Sequence, residues 1–456
     1  MKLLKRCIFF LIPVFLFFSC ASSPDAYREI DHAVSLNEFE AGIEAIRRGQ
    51  SGRYPLYPER NAVSLFLDKG LLEHYAGNYR NSSHDLQEAE RLIHEAFTKS
   101  ITANITSYIA NDNTKEYPGE DYEDIYINVF NALNYYHNND LEGAMVEIRK
   151  ITISSGKLDM LSRKYEAPGK SAGDWLLEQL REIGFARDPA LPQGDPVNFS
   201  DSAMARYLGA LFYQGQGKDD DARIEFDLLR SAFSSNSKVY YNPMPKAVEH
   251  VQNTPPEKTR LNILAFAGLS PVKEERIFTR FFPLFRNPAL RYFQLKLPVF
   301  AKRPNSVDRI EVEVQGNGVF NLELLEDMGA VAEETYNARF ANMYFKTYIR
   351  TFLKYAASDV AASKAEQQAE GLGGALLGLG TSVLAKAGAD ASENADIRMG
   401  RFFPGKAYIG GIDLDPGTYQ ITVTFYQQGR VIAKTEFWNH NVRENELNLI
   451  EAVCLK

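Results

Sequence analysis

Histidine and cysteine side chains are the groups in this sequence whose spacing could build a metal or catalytic site. Three of the histidines, His74, His84 and His94, recur every ten residues, but ten residues rotate a helix by about 1000°, so they do not share a helix face. No two histidines are three or four residues apart, and the one late cysteine is Cys454, so the sequence predicts no zinc site. We interpret the histidines as polar residues on helix surfaces, and they are His32, His74, His84, His94, His137, His250 and His440.

Two acidic clusters, at 120–124 and 219–221, each precede a predicted helix. Carboxylates at a helix start complement the helix dipole and cap its free amides. A calcium loop would need alternating oxygen donors, a glycine and a terminal glutamate, and neither cluster has this arrangement. We therefore predict capping roles, with no metal and no cofactor.

A glycine-rich segment at 370–388 contains the apolar stretch 375–385. It is not a phosphate loop, because no Gly-Lys-Ser/Thr follows and no strand precedes it. Gly374 and Gly378 fit a small-residue helix contact. Two interpretations stay open: a flexible connector after a long helix, or an element that touches a membrane or a partner. The sequence also has no serine nucleophile elbow, Ser-x-x-Lys or His-Glu-x-x-His motif, which predicts a protein without catalytic residues.

Cys20 follows a short apolar run, 8–18, behind the basic residues Lys2, Lys5 and Arg6. This run is too short to span a bilayer, which needs about twenty residues, so it indicates an export signal. Phe17-Phe18-Ser19-Cys20 resembles a relaxed lipoprotein signal-peptidase site. The resemblance implies that residues 1–19 are removed and that Cys20 is acylated, at about 0.8 kcal/mol of anchoring per buried methylene. The alternative is an ordinary signal peptide with an incidental cysteine.

Charge and cysteine content restrict the class of protein further. Loss of the three basic residues with the signal changes the formal net charge from −8 to −11, which argues against nucleic-acid binding. Once Cys7 is removed and Cys20 is acylated, Cys454 is the remaining thiol, so no internal disulfide can form. The length of 20–456 exceeds that of a single core and predicts two or three domains.

Small and large residues recur with spacings of three, nine and four at three places before residue 233. The three sets are Ala132, Tyr135, Ala144 and Ile148; Ala210, Tyr213, Ala222 and Phe226; and Gly70, Glu73, Ser82 and Leu86, in which Glu73 is a misfit. Each set spans a turn, as in a helical hairpin whose small residues let two helices approach. The pattern resembles the tetratricopeptide repeat, and residues 37–43 resemble the second helix of a fourth hairpin. Because the sets start 62 and 78 residues apart rather than about 34, other segments lie between them, and a generic helical bundle is the alternative.

The sequence after Pro255-Pro256 predicts an α+β domain with a small antiparallel sheet or sandwich. Short β-branched or aromatic runs at 261–266, 293–299, 310–314 and 419–425 are typical of strands, and Gln428-Gly429 indicates a hairpin. Residues 333–370 predict a long helix. We therefore divide the chain into a signal at 1–19, helical hairpins at 20–256 and an α+β domain at 257–456, with a helical insertion at about 333–390.

The chain as a whole resembles uncharacterised bacterial envelope lipoproteins with tetratricopeptide-like N-terminal halves. The resemblance rests on residues 130–135 and 142–149, on 268–273 and 350–355, and on 395–398 leading into 414–419. It implies this architecture, but the family offers no established activity.

One stripe of the predicted hairpins is the candidate protein-binding groove. Tyr126, Val129, Leu133 and Tyr136 follow at steps of three, four and three, which keeps them on one helix face. The equivalent stripe of the later hairpin is Tyr207, Leu211 and Gln214. In a stack of hairpins such a stripe lines the concave surface, where tyrosine is favoured for contacts with a partner. The alternative is that these side chains pack against other segments of the same chain.

These patterns predict a membrane-anchored, non-catalytic scaffold or adaptor that faces the periplasm or the cell exterior. Its expected partner is an envelope protein or peptide, and its expected membrane is the outer one, because Ala21 rather than Asp follows Cys20. The alternative is an envelope-polymer enzyme or a carbohydrate-binding module in the C-terminal domain. A deep pocket with converging carboxylates would favour that alternative, whereas a closed apolar sandwich would favour the scaffold.

Overall fold

The computed structural model describes residues 27–101, 113, 115–152, 156–166, 199–281, 292–363 and 394–456. Within these ranges helices form the N-terminal half and sheets lie in the C-terminal part, which confirms the expected mixed fold. The signal at 1–19, Cys20 and the glycine-rich segment 370–388 lie outside the described residues.

In the described residues, ten α-helices precede the first strand. They are α1 (Arg28–Ser35), α2 (Phe39–Gln50), α3 (Ala62–Tyr75), α4 (Tyr79–Ile101), α5 (Asp121–His137), α6 (Leu141–Thr152), α7 (Lys157–Glu166), α8 (Ala203–Gly215), α9 (Asp219–Ser235) and α10 (Ala247–His250). Four pairs form antiparallel hairpins, α1–α2, α3–α4, α5–α6 and α8–α9. Each hairpin packs against the next through α2 and α3, α4 and α5, and α6 and α8, so the hairpins form one row.

The four hairpin turns share one backbone geometry. Each has a residue with positive φ in the same place: Asn37 (59°), Gly77 (82°), Asn139 (62°) and Gly217 (69°). The amide of the following residue donates to a carbonyl five residues back, at 2.9 Å from Glu38 to Ala33 and at 2.8–2.9 Å in the other three turns. Glycine and asparagine suit this left-handed position at a helix end. The turns are therefore alike, while the tetratricopeptide assignment stays a prediction.

Small residues let the helices of each hairpin approach. Ala132, Ala144, Ala210 and Ala222 are buried. A Cβ on Gly70 would lie 2.8 Å from the Leu86 side chain, so this position needs glycine. The first hairpin has a set with the same spacing, and its members are Ile30, Ala33, Gly42 and Ile46. The sequence pattern indicates only the second helix of this hairpin.

The C-terminal part contains ten strands and a long helix in its described residues. The strands are β1 (Thr259–Leu269), β2 (Val272–Phe281), β3 (Tyr292–Ala301), β4 (Arg309–Val314), β5 (Gly318–Asn321), β6 (Glu323–Asp327), β7 (Pro404–Leu414), β8 (Gly417–Gln427), β9 (Arg430–Val442) and β10 (Asn448–Cys454). The described part of the long helix, α11, runs over Met328–Ser363 and starts five residues before the predicted position.

Two four-stranded sheets stack to form the sandwich. Sheet A has the order β10-β1-β7-β6, sheet C has the order β5-β4-β8-β9, and β2 and β3 form a separate hairpin. All pairings are antiparallel except β1 with β10, which are parallel. The interior between sheets A and C is apolar, with Ile263, Val312 and Val423 in its buried cluster.

Sheet A is the middle of three layers. On β1, Ile263 and Ala265 face sheet C, whereas Leu264 and Phe266 belong to the cluster that includes the helices, as the two-residue alternation of a strand requires. The row of hairpins therefore covers one face of sheet A and sheet C covers the other. Helices give way to strands between Asn253 and Thr259, but the apolar core continues across this point.

Candidate functional site

The stripe predicted to form an open groove lies against the C-terminal part of the same chain. Its buried members are Tyr126, Val129, Leu133, Tyr207 and Leu211, and its half-buried members are Tyr136 and Gln214. The first five of these side chains pack in the core between the hairpins and sheet A. The expectation of an open surface at these residues is therefore corrected: the stripe is an interface, and the chain itself fills it.

The tyrosines of the stripe form hydrogen bonds with the C-terminal part of the same chain, in place of a separate partner. Tyr136 donates to the carbonyl of Leu447 at 2.9 Å and accepts from the amide of Leu449 at 2.9 Å. Tyr207 donates to Asn262 Oδ1 on β1 at 3.4 Å. Their hydroxyls thus bind strand edges and polar side chains of sheet A, which is how tyrosine acts in interfaces between proteins.

Glu326, on β6, is fully buried among hydrogen-bond donors. Its carboxylate accepts from Tyr126 at 2.7 Å, from Tyr240 at 2.8 Å, from Ser202 Oγ at 3.0 Å and from the amide of Met204 at 3.3 Å. Burial raises the pKa of Glu326, although these donors oppose the rise. This site could not be predicted from spacing, because its donors come from three distant segments.

His74, on α3, lies in a second buried cluster and contradicts our interpretation of the histidines as surface residues. Its Nε2 is 2.6 Å from Glu451 Oε1 on β10, and its Nδ1 is 2.7 Å from Asn134 Oδ1 on α5. His137 approaches the other Glu451 oxygen at 3.5 Å and stacks on Tyr79. By contrast His32, His84, His94 and His250 are exposed, as expected.

The hydrogen-bond chain around His74 determines its protonation. Ser82 Oγ donates to the carbonyl of Gly70, so it accepts from Asn134 Nδ2, and the amide oxygen of Asn134 must face His74. Both nitrogens of His74 then meet acceptors, which only the imidazolium form can satisfy. Burial is the largest influence on the pKa of His74 and lowers it, but the charge of Glu451 together with the hydrogen bonds with Glu451 and Asn134 raises the pKa above its ordinary value. Burial is also the largest influence on Glu451 and raises its pKa, but the charges and hydrogen bonds of His74 and His137 together lower the pKa to about 2.

Residues 394–403, here called the strap, form an extended segment that precedes β7 and lies across the hairpins. The amide of Gly400 donates to Glu123 Oε1 at 2.6 Å, and the amide of Arg401 donates to Asp68 Oδ1 at 2.6 Å. The carbonyl of Phe402 accepts from Tyr75 at 2.9 Å. Two carboxylates from neighbouring hairpins thus bind successive backbone amides of one extended segment.

Both strap-binding carboxylates are fully buried. Burial raises the pKa of Asp68 to about 7 against the opposing hydrogen bond from Tyr57. Burial, together with the charge of Glu120, also raises the pKa of Glu123 to about 7. A Cβ on Gly400 would lie 2.8 Å from the ring of Phe403, so a larger residue here would force Phe403 or the strap to shift.

Side chains of the strap complete this contact. The guanidinium of Arg401 pairs with Asp31 on α1 at 2.6 Å. Arg398 donates to the carbonyl of Lys115 at 2.7 Å and pairs with Asp396 at 2.7 Å. Phe403 packs in the core between the helices and sheet A.

The acidic cluster 120–124 caps α5, as predicted. Glu120 and Glu123 form a capping box in which each side chain accepts from the backbone amide of the other. Glu120 also pairs with Lys273 and, at 2.6 Å, with Arg339. Asp219, Asp220 and Asp221 lie in the first turn of α9, as expected for helix-dipole partners.

The buried carboxylates described above contact backbone and side chains of the same chain. A shallow depression beside the first hairpin turn includes none of the buried carboxylates described above, and its lining residues are Asn37, Glu38, Phe39, Glu40, Ala41 and Ala76. In the described ranges no three His, Cys, Asp or Glu side chains are grouped to hold a metal ion. No helix among the described residues is long and apolar enough to cross a bilayer.

Comparison with known proteins adds no assignment. No protein-family model, curated protein or solved structure matches this chain.

Proposed function

We propose that the protein is a lipid-anchored, non-catalytic scaffold of the bacterial cell envelope, built on tetratricopeptide-like hairpins that hold extended polypeptide. The binding of the strap carries this proposal. Asp31, Asp68 and Glu123 belong to three successive hairpins, and they bind the Arg401 side chain, the Arg401 amide and the Gly400 amide. A row of hairpins whose carboxylates accept hydrogen bonds from successive backbone amides is suited to binding peptide segments.

The outer face of the hairpins is the surface that we assign to an envelope protein or peptide partner. The strap and sheet A cover one side of the row of hairpins. On the outer helices, Val146 of α6 and Ile224 of α9 are 51% and 53% exposed. Each lies two residues after the small residue of its hairpin, Ala144 or Ala222, so the two exposed apolar side chains hold equivalent positions. These two apolar positions on neighbouring hairpins are where we place the contact with the partner.

The membrane anchor is the second part of the proposal. Cys20, acylated after removal of residues 1–19, would hold the scaffold on the membrane, with the outer membrane favoured because Ala21 follows it. Cys20→Ser should abolish labelling by a palmitate analogue and move the protein to the soluble fraction. Cys7→Ser, a change within the signal, should leave both unchanged. Undiminished labelling of the Cys20→Ser protein would reject the anchor.

Photo-crosslinking in native membranes tests the partner surface. A crosslinking residue at Val146 or Ile224 should capture the same discrete partner, whereas one at Arg91, similarly exposed on α4, should not. Equal capture at all three positions, or capture at none, would contradict the assignment of this surface.

The interior of the sandwich supports a scaffold over an enzyme acting between the sheets. Ile310, Val314, Ile421 and Phe425 fill the space between sheets A and C with apolar side chains. The alternative of a carbohydrate-binding module draws its support from a different surface, the outer face of sheet C.

A further inference from the structure

The outer face of sheet C carries an exposed aromatic ring among hydrogen-bonding side chains. On β9, Phe437 packs toward the sandwich core, so Glu436 and Trp438 point away from it. The polar sheet face is defined by Glu313, Val319, Gln420, Thr422, Glu436 and Trp438. Trp438 is 63% exposed and Val319 is 59% exposed.

The strand register arranges this face as a row. Val319 on β5 pairs with Glu313 on β4, Glu313 pairs with Thr422 on β8, and Thr422 pairs with Glu436 on β9. Neighbouring strands lie about 4.8 Å apart, so the row is roughly 14 Å long. Trp438 lies two residues beyond Glu436 on the same strand, about 7 Å from the end of the row.

The carboxylates of the row are available for a ligand. Glu313 and Glu436 are exposed and make no side-chain hydrogen bond or ion pair within the described ranges. Elsewhere on the same face, Arg309 pairs with Glu311 at 2.5 Å and covers the ring of Tyr426. The free carboxylates therefore lie beside Trp438, where they match hydroxyl donors, and Lys434, an exposed cation two residues before Glu436 on the same face, offsets part of their charge.

We propose that this face binds a neutral, extended glycan chain, with one sugar ring stacked on Trp438 and hydroxyl groups donating to Glu436 and Glu313. An indole face is electron-rich and attracts the C–H bonds on the flat side of a pyranose. The same sugar presents hydroxyl donors at its edge, where the row offers carboxylates and the Thr422 hydroxyl. The row of about 14 Å spans several sugar rings of an extended β1→4-linked chain.

This inference goes beyond the proposed function and does not depend on it. Val146 and Ile224, the proposed protein-contact residues, lie on the helical layer, and Trp438 lies on the far side of sheet A. If both surfaces are used, the protein links an envelope protein to an envelope polysaccharide.

Binding to N-acetylchitohexaose, a neutral β1→4-linked glycan, measured by calorimetry on the full chain in detergent, tests the proposal. Trp438→Ala should weaken binding at least tenfold and Glu436→Gln severalfold. Tyr54→Ala, which removes an aromatic ring that is 81% exposed in the helical half, should leave the affinity unchanged. Trp438→Phe, which keeps an aromatic face, should retain part of the binding lost in Trp438→Ala.

Several outcomes would overturn the proposal. They are absence of wild-type binding to the hexasaccharide, equal affinity of the Trp438→Ala and wild-type proteins, or equal losses in Trp438→Ala and Tyr54→Ala. A lowered melting temperature of Trp438→Ala together with complete loss of binding by Trp438→Phe would also reject stacking as the cause. Crosslinking at Val146 and Ile224 should persist in Trp438→Ala, which separates a failure of this proposal from a failure of the scaffold.

Discussion

The Tyr126 hydroxyl donates a 2.7 Å hydrogen bond to the buried carboxylate of Glu326, 200 residues further along the chain. Tyr126 belongs to the stripe that helical periodicity assigns to a binding groove, and Glu326 lies on the edge strand β6 of sheet A. The same helix face thus recognises a polar group, but that group belongs to its own chain. The bond couples the hairpins to the sheet at the centre of the molecule.

Loss of the Tyr126 hydroxyl should destabilise the protein without affecting an external partner. Tyr126→Phe leaves Glu326 one donor short in a buried site, which should cost about 1–3 kcal/mol in the free energy of unfolding. Urea denaturation measures this loss. Tyr213→Phe is the matched control, because the Tyr213 hydroxyl is half-buried and makes no hydrogen bond within the described residues. Equal stability of the two variants would mean that the bond contributes nothing.

Enlarging the small residues of the hairpins should overpack them. Ala144 and Ala222 are buried between paired helices, so Ala144→Phe and Ala222→Phe should each cost about 1–3 kcal/mol and lower the melting temperature. Val146→Phe, two residues along α6 on the exposed side, should have little effect. An unchanged melting temperature in both alanine variants would show that the helices can separate there freely.

The His74–Glu451 pair should make stability depend on pH. Because the folded pKa of His74 is raised above 6.5, its contribution is complete below pH 6.5 and is lost as the pH rises through the raised value. Because the folded pKa of Glu451 is lowered to about 2, its contribution is present above pH 4.5 and is lost as the pH falls toward 2. Between pH 6 and pH 9, His74→Gln should therefore lose less stability than the wild type in urea titrations. His84→Gln, on the exposed side of α4, is the control and should lose as much stability as the wild type over this range. If His74→Gln also loses as much stability as the wild type, His74 is not charged in the folded protein.

Asp68 should contribute a separate pH dependence at the strap. Its folded pKa is raised from 3.8 to about 7, so the folded state holds the proton more tightly and stability falls as the pH rises from about 4 to 7. Asp68→Asn removes this titration while keeping an acceptor for the Arg401 amide. Urea midpoints at pH 5 and pH 7.5 should therefore differ less in Asp68→Asn than in the wild type. Asp220→Asn, at an exposed carboxylate, is the control, and the idea fails if Asp68→Asn shows the full wild-type difference.

Local patterns predicted most of the hairpin helices and the strands β1, β3, β4, β8 and β9, but they missed β2, β5, β6, β7 and β10 and did not predict the assembly. The spacing of Ala132, Tyr135, Ala144 and Ile148 is set by contacts within one hairpin, so it is readable in a short window of sequence. The alternation of apolar and polar residues at 309–314 likewise arises because one face of this strand is buried and the other is exposed to solvent. Periodicity reports that a face is buried, and it does not report what covers it, which is why Val129 and Leu133 fit a groove and a core equally well.

The buried polar sites could not be read from the sequence because their members are distant. Glu451 and His74 are separated by 377 residues, and Glu123 meets Gly400 across 277 residues. No spacing rule connects such pairs, and an isolated histidine or glutamate has the same appearance in a surface helix. Only the packing of sheet A into the row of hairpins brings these groups together.

The parallel pairing of β10 with β1 has a consequence for biogenesis. Residues 448–454 hydrogen-bond alongside 261–267, so sheet A cannot close until almost two hundred further residues have left the ribosome. Until then Tyr136 of the stripe lacks the Leu449 amide, and Leu449 cannot join the apolar core between the hairpins and sheet A. Incompletely covered apolar surface of this kind invites aggregation. Sheet A therefore reaches its native form only after β10 has been synthesised.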